Sequence, residues 1–267
     1  MKKEYILLVF SIVIIILLII ILNYDNILKW RYNTAVKNKD CEKIYNIVDI
    51  EQGKYLTKEK YIEQCKLKIN SYNNNDIKVE NHKIKDDIVK VHTNITVYIP
   101  SDSHFYLDNQ LVSNVFSIDE KNIYNIFTFD KLFEGEYNIK FNNQTTEENN
   151  KITISQDGLK QIYEYNNEKQ QVTIIGNKSC SFCTNLVNFL STLDSNVFEV
   201  KYYDVYSNKE TERVKKEFLN YFKINAKFYP TVIIGNKYIA GYSDDMEQKY
   251  IESIYYFYRN KIETVIK

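Results

Sequence analysis

The sequence predicts a chain in three parts: a membrane-spanning helix, an α+β, β-rich region, and a C-terminal α/β domain. Three observations carry this. An uncharged apolar run, "YILLVFSIVIIILLIIIL", occupies Tyr5–Leu22; apolar residues recur with period two between Ile77 and Ile154; and from Tyr163 onward short apolar runs alternate with helical patterns. The expected segments are an anchor at 1–23, two helices within 24–76, a β-rich module at 77–155 and the α/β domain at 163–267. The 35 basic and 35 acidic side chains balance, which argues against a nucleic-acid surface built on net positive potential. The 24 tyrosines accompany abundant Asn, Lys and Ile, so they read as compositional bias, not as a binding surface.

The apolar run is about as long as a bilayer's hydrocarbon core requires, and it has no polar face. A cleavable signal peptide would need a shorter run followed by small residues. Here the run ends in "ILNYDNILKW", so an uncleaved anchor held by membrane lipid is expected. Lys2 and Lys3 favour a cytoplasmic N-terminus, although Lys29, Arg31, Lys37 and Lys39 follow the run. The bulk of the chain is therefore expected at the cell membrane on its extracytoplasmic side. Such a compartment would allow Cys41 and Cys65 to pair.

After the anchor, Asp40 suits an N-cap before Ile44, Ile47 and Val48 on one helical face. Thr57 does the same for a helix carrying Tyr61, Ile62 and Cys65. If these helices pack together, a Cys41–Cys65 disulfide is feasible, closing a loop of about 25 residues and contributing roughly 3 kcal/mol. Two unpaired, partly buried thiols are the alternative. Next, Val91, Ile95, Val97 and Ile99, and later Tyr137, Ile139 and Phe141, alternate as in strands, while "YLDNQLV" reads as two strands around an Asp108-Asn109 turn. A sandwich or half-barrel is expected. With the helices before it, this pattern resembles modules found outside the membrane in Gram-positive cell-envelope proteins. His82, His92 and His104 fall here and read as surface or packing residues. "FNNQTTEENNK", residues 141–151, lacks apolar periodicity and reads as a loop or linker.

In the last domain "QVTII" suits a buried strand, "GNKS" a loop, and "CTNLVNFLSTL" a helix with Leu186, Phe189, Leu190 and Leu193 on one face. Cys180 then lies at or just before the helix N-terminus, with Cys183 one turn inside. The free N–H groups and positive dipole end of a helix stabilise a thiolate at such a position. In Cys-x-x-Cys settings the thiol pKa falls to roughly 3.5–7.5. Cys180 is therefore the expected nucleophile toward a disulfide and Cys183 the resolving thiol. Lys178 adds positive potential or is only a solubilising charge. Asp204 either lies near Cys183 or is a surface carboxylate. "VFEVKYYDV" reads as a second strand, "NKETERVKKEFLNYF" as a helix with Val214, Phe218 and Phe222 inward. "AKFYPTVIIGNKYIAGYSDD" then supplies strand, Gly235-Asn236 turn, strand and the start of a closing helix near Asp244. The order is β-α-β-α-β-β-α.

This last segment resembles the thioredoxin superfamily, with wording closest to glutaredoxins. Their "CPYC", "VP-T/Q-VFI", "G-K" and "GGY-D" elements correspond to "CSFC", "YPTVII", "GNK" and "AGYSDD" here. The resemblance implies a thioredoxin-like fold and a cis Tyr229–Pro230 bond beside the cysteines. It also implies substrate-positioning places for Tyr229, Pro230, Thr231 and Gly241, with the Tyr229 backbone pairing to an extended substrate. There are departures. Ser181 stands for the glutaredoxin proline, Ser179 for the thioredoxin tryptophan, and Ala240 for the first glycine of the pair. Asn177 stands where a glutathione-contacting lysine is common, with Lys178 one place along. Glutathione binding is accordingly not implied.

Zinc would need two further soft or imidazole ligands, and residues 163–267 hold no histidine and no third cysteine, so no metal is expected. An inert bridge across two residues would be strained and stabilise little, which favours a reactive one. The expectation is a membrane-anchored extracytoplasmic thiol–disulfide oxidoreductase. It would use no cofactor beyond the redox-active Cys180–Cys183 disulfide. Its partners would be protein or small-molecule thiols and disulfides and a membrane redox partner, not nucleic acid. The alternative is a non-catalytic cell-envelope scaffold or accessory protein whose last domain only binds partners.

Overall fold

A computed structural model describes residues 2–50, 53–72, 77–85, 88–113, 115, 117–206 and 209–267. It divides into two units, one comprising residues 1–96, 128–137 and 153–159, the other 97–127, 138–152 and 160–267.

The first unit opens with α1 (Lys2–Leu22) and α2 (Tyr24–Lys37), followed by α3 (Cys41–Tyr45), α4 (Lys58–Lys68) and the hairpin β1 (Val79–Glu80) and β2 (Lys83–Ile84). Part of the apolar run expected to span a membrane, residues 5–8 and 20, lies outside the described side chains. Among the described residues no single helix is long and apolar enough to cross a membrane; Val9–Ile19 and Tyr24–Lys37 pass that test together, bent by 62°. The capping chemistry is local. Asp40 Oδ1 accepts from the Lys43 N–H at 3.1 Å and Thr57 Oγ1 from the Lys60 N–H at 3.2 Å, each satisfying an otherwise unpaired helix donor. With their ends so held, α2, α3, α4 and β2 bury Leu28, Tyr32, Ile44, Tyr61 and Ile84 in one cluster. Within it Cys41 and Cys65 are disulfide-bonded, with Cα atoms 5.9 Å apart.

The middle of the chain forms β3 (Val91–Pro100), β4 (His104–Leu107), β5 (Gln110–Leu111), β6 (Ser117–Ile118), β7 (Tyr124–Phe133), β8 (Gly135–Asn142), β9 (Glu147–Ile154) and β10 (Lys160–Ile162). They make two four-stranded sheets, in the orders β10-β3-β7-β6 and β5-β4-β8-β9. Ile95, Val97 and Ile99 are buried, as are Tyr137, Ile139 and Phe141, because side chains at alternate positions share a face. One expectation is corrected here. Residues 147–151 are not loop but the start of β9, and only 143–146 turn the chain, with Asn143 Oδ1 accepting from the N–H groups of Thr145 and Thr146. β9 is an edge strand whose first residues face solvent. Its ladder to β8 holds it, so it needs no apolar alternation there.

The C-terminal part of the second unit runs β11 (Gln170–Gly176), α5 (Ser181–Leu190), β12 (Phe198–Asp204), α6 (Lys209–Phe222), β13 (Thr231–Ile234), β14 (Lys237–Ala240) and α7 (Glu247–Arg259). Of the helix expected from Asn208, that first residue lies outside the described ones. The sheet order is β12-β11-β13-β14. β12 is parallel to β11, with Gln170 opposite Phe198 and Gly176 opposite Asp204, while β13 is antiparallel to β11 and β14 to β13. Every residue of β11 is buried, three of them polar, and the C-terminal tail satisfies those three. Thr173 Oγ1 donates to the Ile266 carbonyl at 2.8 Å, Gln171 Nε2 to the same oxygen at 3.2 Å, and Gln170 Nε2 to Thr264 Oγ1 at 2.7 Å. α6 covers one face of the sheet, where Val214 and Phe218 meet Ile175 and Ile233.

α7 ends on a buried charge. Arg259, only 4 % exposed, lies 3.0 Å from Glu164 Oε2 and 3.6 Å from Asp102 Oδ1, with Tyr124 and Tyr255 against its guanidinium. Removing one partner of a buried ion pair leaves the other uncompensated, which costs about 3–5 kcal/mol. Asp102 is more than a third exposed, so the low end applies. Arg259→Met, which keeps the volume, is expected to lower unfolding free energy by roughly 3 kcal/mol in urea titrations. An unchanged midpoint would show that the pair contributes nothing net.

Candidate functional site

The fully buried β11 stops at Gly176, and three loop residues separate it from Cys180. Asn177 organises that loop. Its side-chain oxygen accepts from the Ser179 N–H at 2.8 Å and its carbonyl from the Cys180 N–H at 2.9 Å, a turn that Asn favours because its amide mimics the backbone. The chain thereby enters α5 with Cys180 as the N-cap residue, at φ −89° and ψ 122°. Cys180 is partly exposed and Cys183, one turn on, is 1 % exposed; both sulfurs are unbonded thiols.

The two thiols sit in opposite electrostatic surroundings. The nearby Cys183 backbone N–H favours the Cys180 thiolate most, burial opposes it next, and the Cys183 side chain and Phe182 N–H add to the first; together they hold the thiol below its ordinary pKa, although its side chain closes no capping hydrogen bond. Burial pushes the Cys183 thiol up, partly offset by the Asn177 N–H 3.5 Å from its sulfur. Cys180 is thus the thiol with the larger anionic fraction and the one that solvent reaches.

Across from Cys180 runs the loop before β13. Cys180 Sγ lies 4.0 Å from the Tyr229 carbonyl oxygen, and the Tyr229–Pro230 peptide is cis. Pro230 is buried, and its carbonyl accepts from the Gly241 N–H at 2.7 Å. Thr231 does not face outward: its hydroxyl donates to the Phe228 carbonyl at 2.5 Å and its side chain is buried. Gly241 has φ +79° and nothing within 4 Å of where a Cβ would stand, so its backbone angle, not crowding inside the chain, is what demands glycine. Its carbonyl accepts from the Tyr250 hydroxyl at 2.6 Å. Lys178 is exposed and borders a shallow groove of about 270 Å³ that also reaches Cys183, Val187, Val200 and Tyr202. Phe182 and Phe228, 55 % and 71 % exposed, flank the Cys180–Tyr229 approach along the chain.

The structure brings Cys180, Cys183, Tyr229 and Pro230 together, with Gly241 bonded to Pro230. Cys41 and Cys65 belong to the other unit as its disulfide. Asp204 is placed at the end of β12, where its carboxylate accepts from the Tyr206 N–H at 3.0 Å. Asn177, expected only as a departure from the glutaredoxin pattern, and Gly176 and Tyr202, to which the sequence assigns no role, also belong to the site. The Gly-Asn pair is an available turn signal for the first two. Tyr202 carries none, because its neighbour is fixed only by strand register. Among the described residues no group of three or more His, Cys, Asp or Glu is arranged to hold a metal ion. His82 and His92 lie 2.9 and 3.2 Å from Asp25 and Asp157. In comparisons with protein-family models, curated proteins and solved structures, nothing matches this chain.

Alkylation reports the thiol asymmetry directly. The rate at Cys180 with a neutral iodoacetamide is expected to follow a titration midpoint below that of a free thiol, with Cys183 unmodified until unfolding. Because the folded pKa of Cys180 is depressed, its contribution to stability is present above the unfolded thiol pKa and lost as pH falls through the folded one. A Cys180 midpoint at or above the free-thiol value would contradict this.

Proposed function

We propose that the chain is a membrane-anchored, extracytoplasmic thiol–disulfide oxidoreductase built on a thioredoxin-like C-terminal domain. Cys180 is the nucleophile and Cys183 the resolving thiol. One observation carries the reading: Cys180 stands accessible at the N-cap position of α5, one turn before the buried Cys183, and the surroundings that lower the first thiol's pKa raise the second's. The first favours attack on a substrate disulfide, the second a delayed attack within the mixed disulfide. The Tyr229 carbonyl beside Cys180 suits backbone pairing with an extended substrate, and the exposed Phe182 and Phe228 suit an apolar one.

The chemistry balances without a cofactor. Cys180 S⁻ attacks one sulfur of R–S–S–R′, forming a Cys180–S–S–R bond as the R–S–S–R′ bond breaks and R′S⁻ leaves with the electron pair. Cys183, having lost its proton to water, then attacks Cys180. The intramolecular disulfide forms, and RS⁻ departs and is protonated. Substrate gains two electrons and the dithiol loses two. The reverse sequence oxidises substrate, and the reduction potential of the couple sets the direction. A membrane redox partner would then reset the couple. The anchor rests on the uncharged run Tyr5–Leu22, and the extracytoplasmic side on the Cys41–Cys65 disulfide, a bond that oxidising compartments preserve.

In the full chain, Cys183→Ala is expected to accumulate mixed disulfides through Cys180 that a thiol reductant releases. Cys180→Ala should accumulate none. If Cys183→Ala traps nothing, and the double-cysteine variant keeps the chain's biological role, the non-catalytic scaffold reading takes over.

A further inference from the structure

Tyr202 lies on β12 opposite Ile174 of β11, two residues before the level of Gly176. Its hydroxyl is buried and among the described residues has no hydrogen-bond partner, although an unpartnered buried hydroxyl costs free energy. What it faces is sulfur. A Cβ on Gly176 would stand 2.6 Å from the Tyr202 hydroxyl and 3.1 Å from Cys183 Sγ, so both groups close over the bare backbone of that glycine. The same two side chains line the shallow groove beside α5, together with Val187 and Val200.

We propose that Tyr202 is the positioning residue of the resolving thiol: its hydroxyl donates a hydrogen bond to Cys183 Sγ once that sulfur is ionised. This rests on the dithiol-exchange reading and specifies its second step. With the Asn177 N–H already 3.5 Å from Cys183 Sγ, the thiolate gains a second donor from β12. The two donors hold the sulfur in place for its attack on the mixed disulfide. Tyr202 keeps its own proton throughout. Burial first, and the adjacent Cys183 next, raise its phenol above the ordinary range, so it donates without acting as a base. The other titratable groups acting on this pair are accounted for. Cys180 opposes ionisation of Cys183; Tyr250 of α7 has its hydroxyl committed to the Gly241 carbonyl; Asp204 acts on Tyr202; Lys178 borders the groove and is exposed. Gly176 is then required because any side chain there would push donor and acceptor apart.

The test uses the full chain. In a Cys180→Ala background, ultraviolet thiolate absorbance titrates Cys183, and adding Tyr202→Phe is expected to raise its apparent pKa by about one unit, since a donor to the charged form is lost. With both cysteines present and a bis-nitrobenzoate disulfide as substrate, the first chromophore is released by Cys180 and the second by Cys183. Tyr202→Phe should leave the first release unchanged and slow the second by roughly threefold near neutral pH, the tenfold loss of thiolate being partly offset by its greater nucleophilicity, with the rate recovering as pH rises. Gly176→Ala should act in the same direction and add little to Tyr202→Phe. An unchanged Cys183 titration, or equal slowing of both releases, would overturn the assignment. Absence of any release from the wild-type chain would instead overturn the exchange reading, while the Cys183 titration would still decide whether the hydrogen bond exists.

Discussion

Everything at the site hangs from the register of β11. The strand is buried along its whole length and bonded on both sides, parallel to β12 and antiparallel to β13. Pairing Gly176 with Asp204 and Ile175 with Thr231 brings three features to one end of the sheet. They are the loop leading into α5, the Tyr229–Pro230 loop, and Tyr202. A slip of one residue would exchange the two faces of a strand. Tyr202 would then turn away from Cys183 and Tyr203 would replace it. The polar residues of β11 help to prevent this, because Gln170, Gln171 and Thr173 each meet a specific atom of the C-terminal tail.

The chemical difference between the two cysteines follows from three residues of helix. At the N-cap, backbone N–H groups that lack a partner within the helix point toward the Cys180 sulfur, and a thiolate is the form they favour. One turn later Cys183 is buried, and that burial favours its neutral form more than the Asn177 N–H, 3.5 Å from its sulfur, favours the thiolate. The same backbone thus makes one thiol acidic and its neighbour reluctant, and that ordering suits a two-step exchange.

How much of this could be read from the chain depends on how local the cause is. Asp40 and Thr57 announce helix starts because a cap needs only its own side chain and an N–H three residues on. The "QVTII" run and the Cys180–Cys183 spacing are likewise short-range. Residues 147–151 read as loop because their side chains carry no alternation, and yet the ladder to β8, a feature of another segment, holds them in a strand. Arg259 gave no warning either. Its partner Glu164 is 95 residues away in sequence, and nothing near Arg259 marks it as buried.

By itself the sequence determined the strands and helices of the last domain, the caps at Asp40 and Thr57, the apolar opening run and the placing of two thiols one helical turn apart, because each arises from interactions spanning a few residues; α3 stops at Tyr45, short of the Ile47 and Val48 expected on its face. Only the tertiary structure decided the rest. It put the Tyr229 carbonyl 4.0 Å from Cys180, turned Thr231 inward, bonded Cys41 to Cys65 and set the Tyr202 hydroxyl over Gly176 beside Cys183. The physical reason is that strand register and packing join residues distant in the chain, and no local pattern encodes which distant partner a buried polar atom will meet.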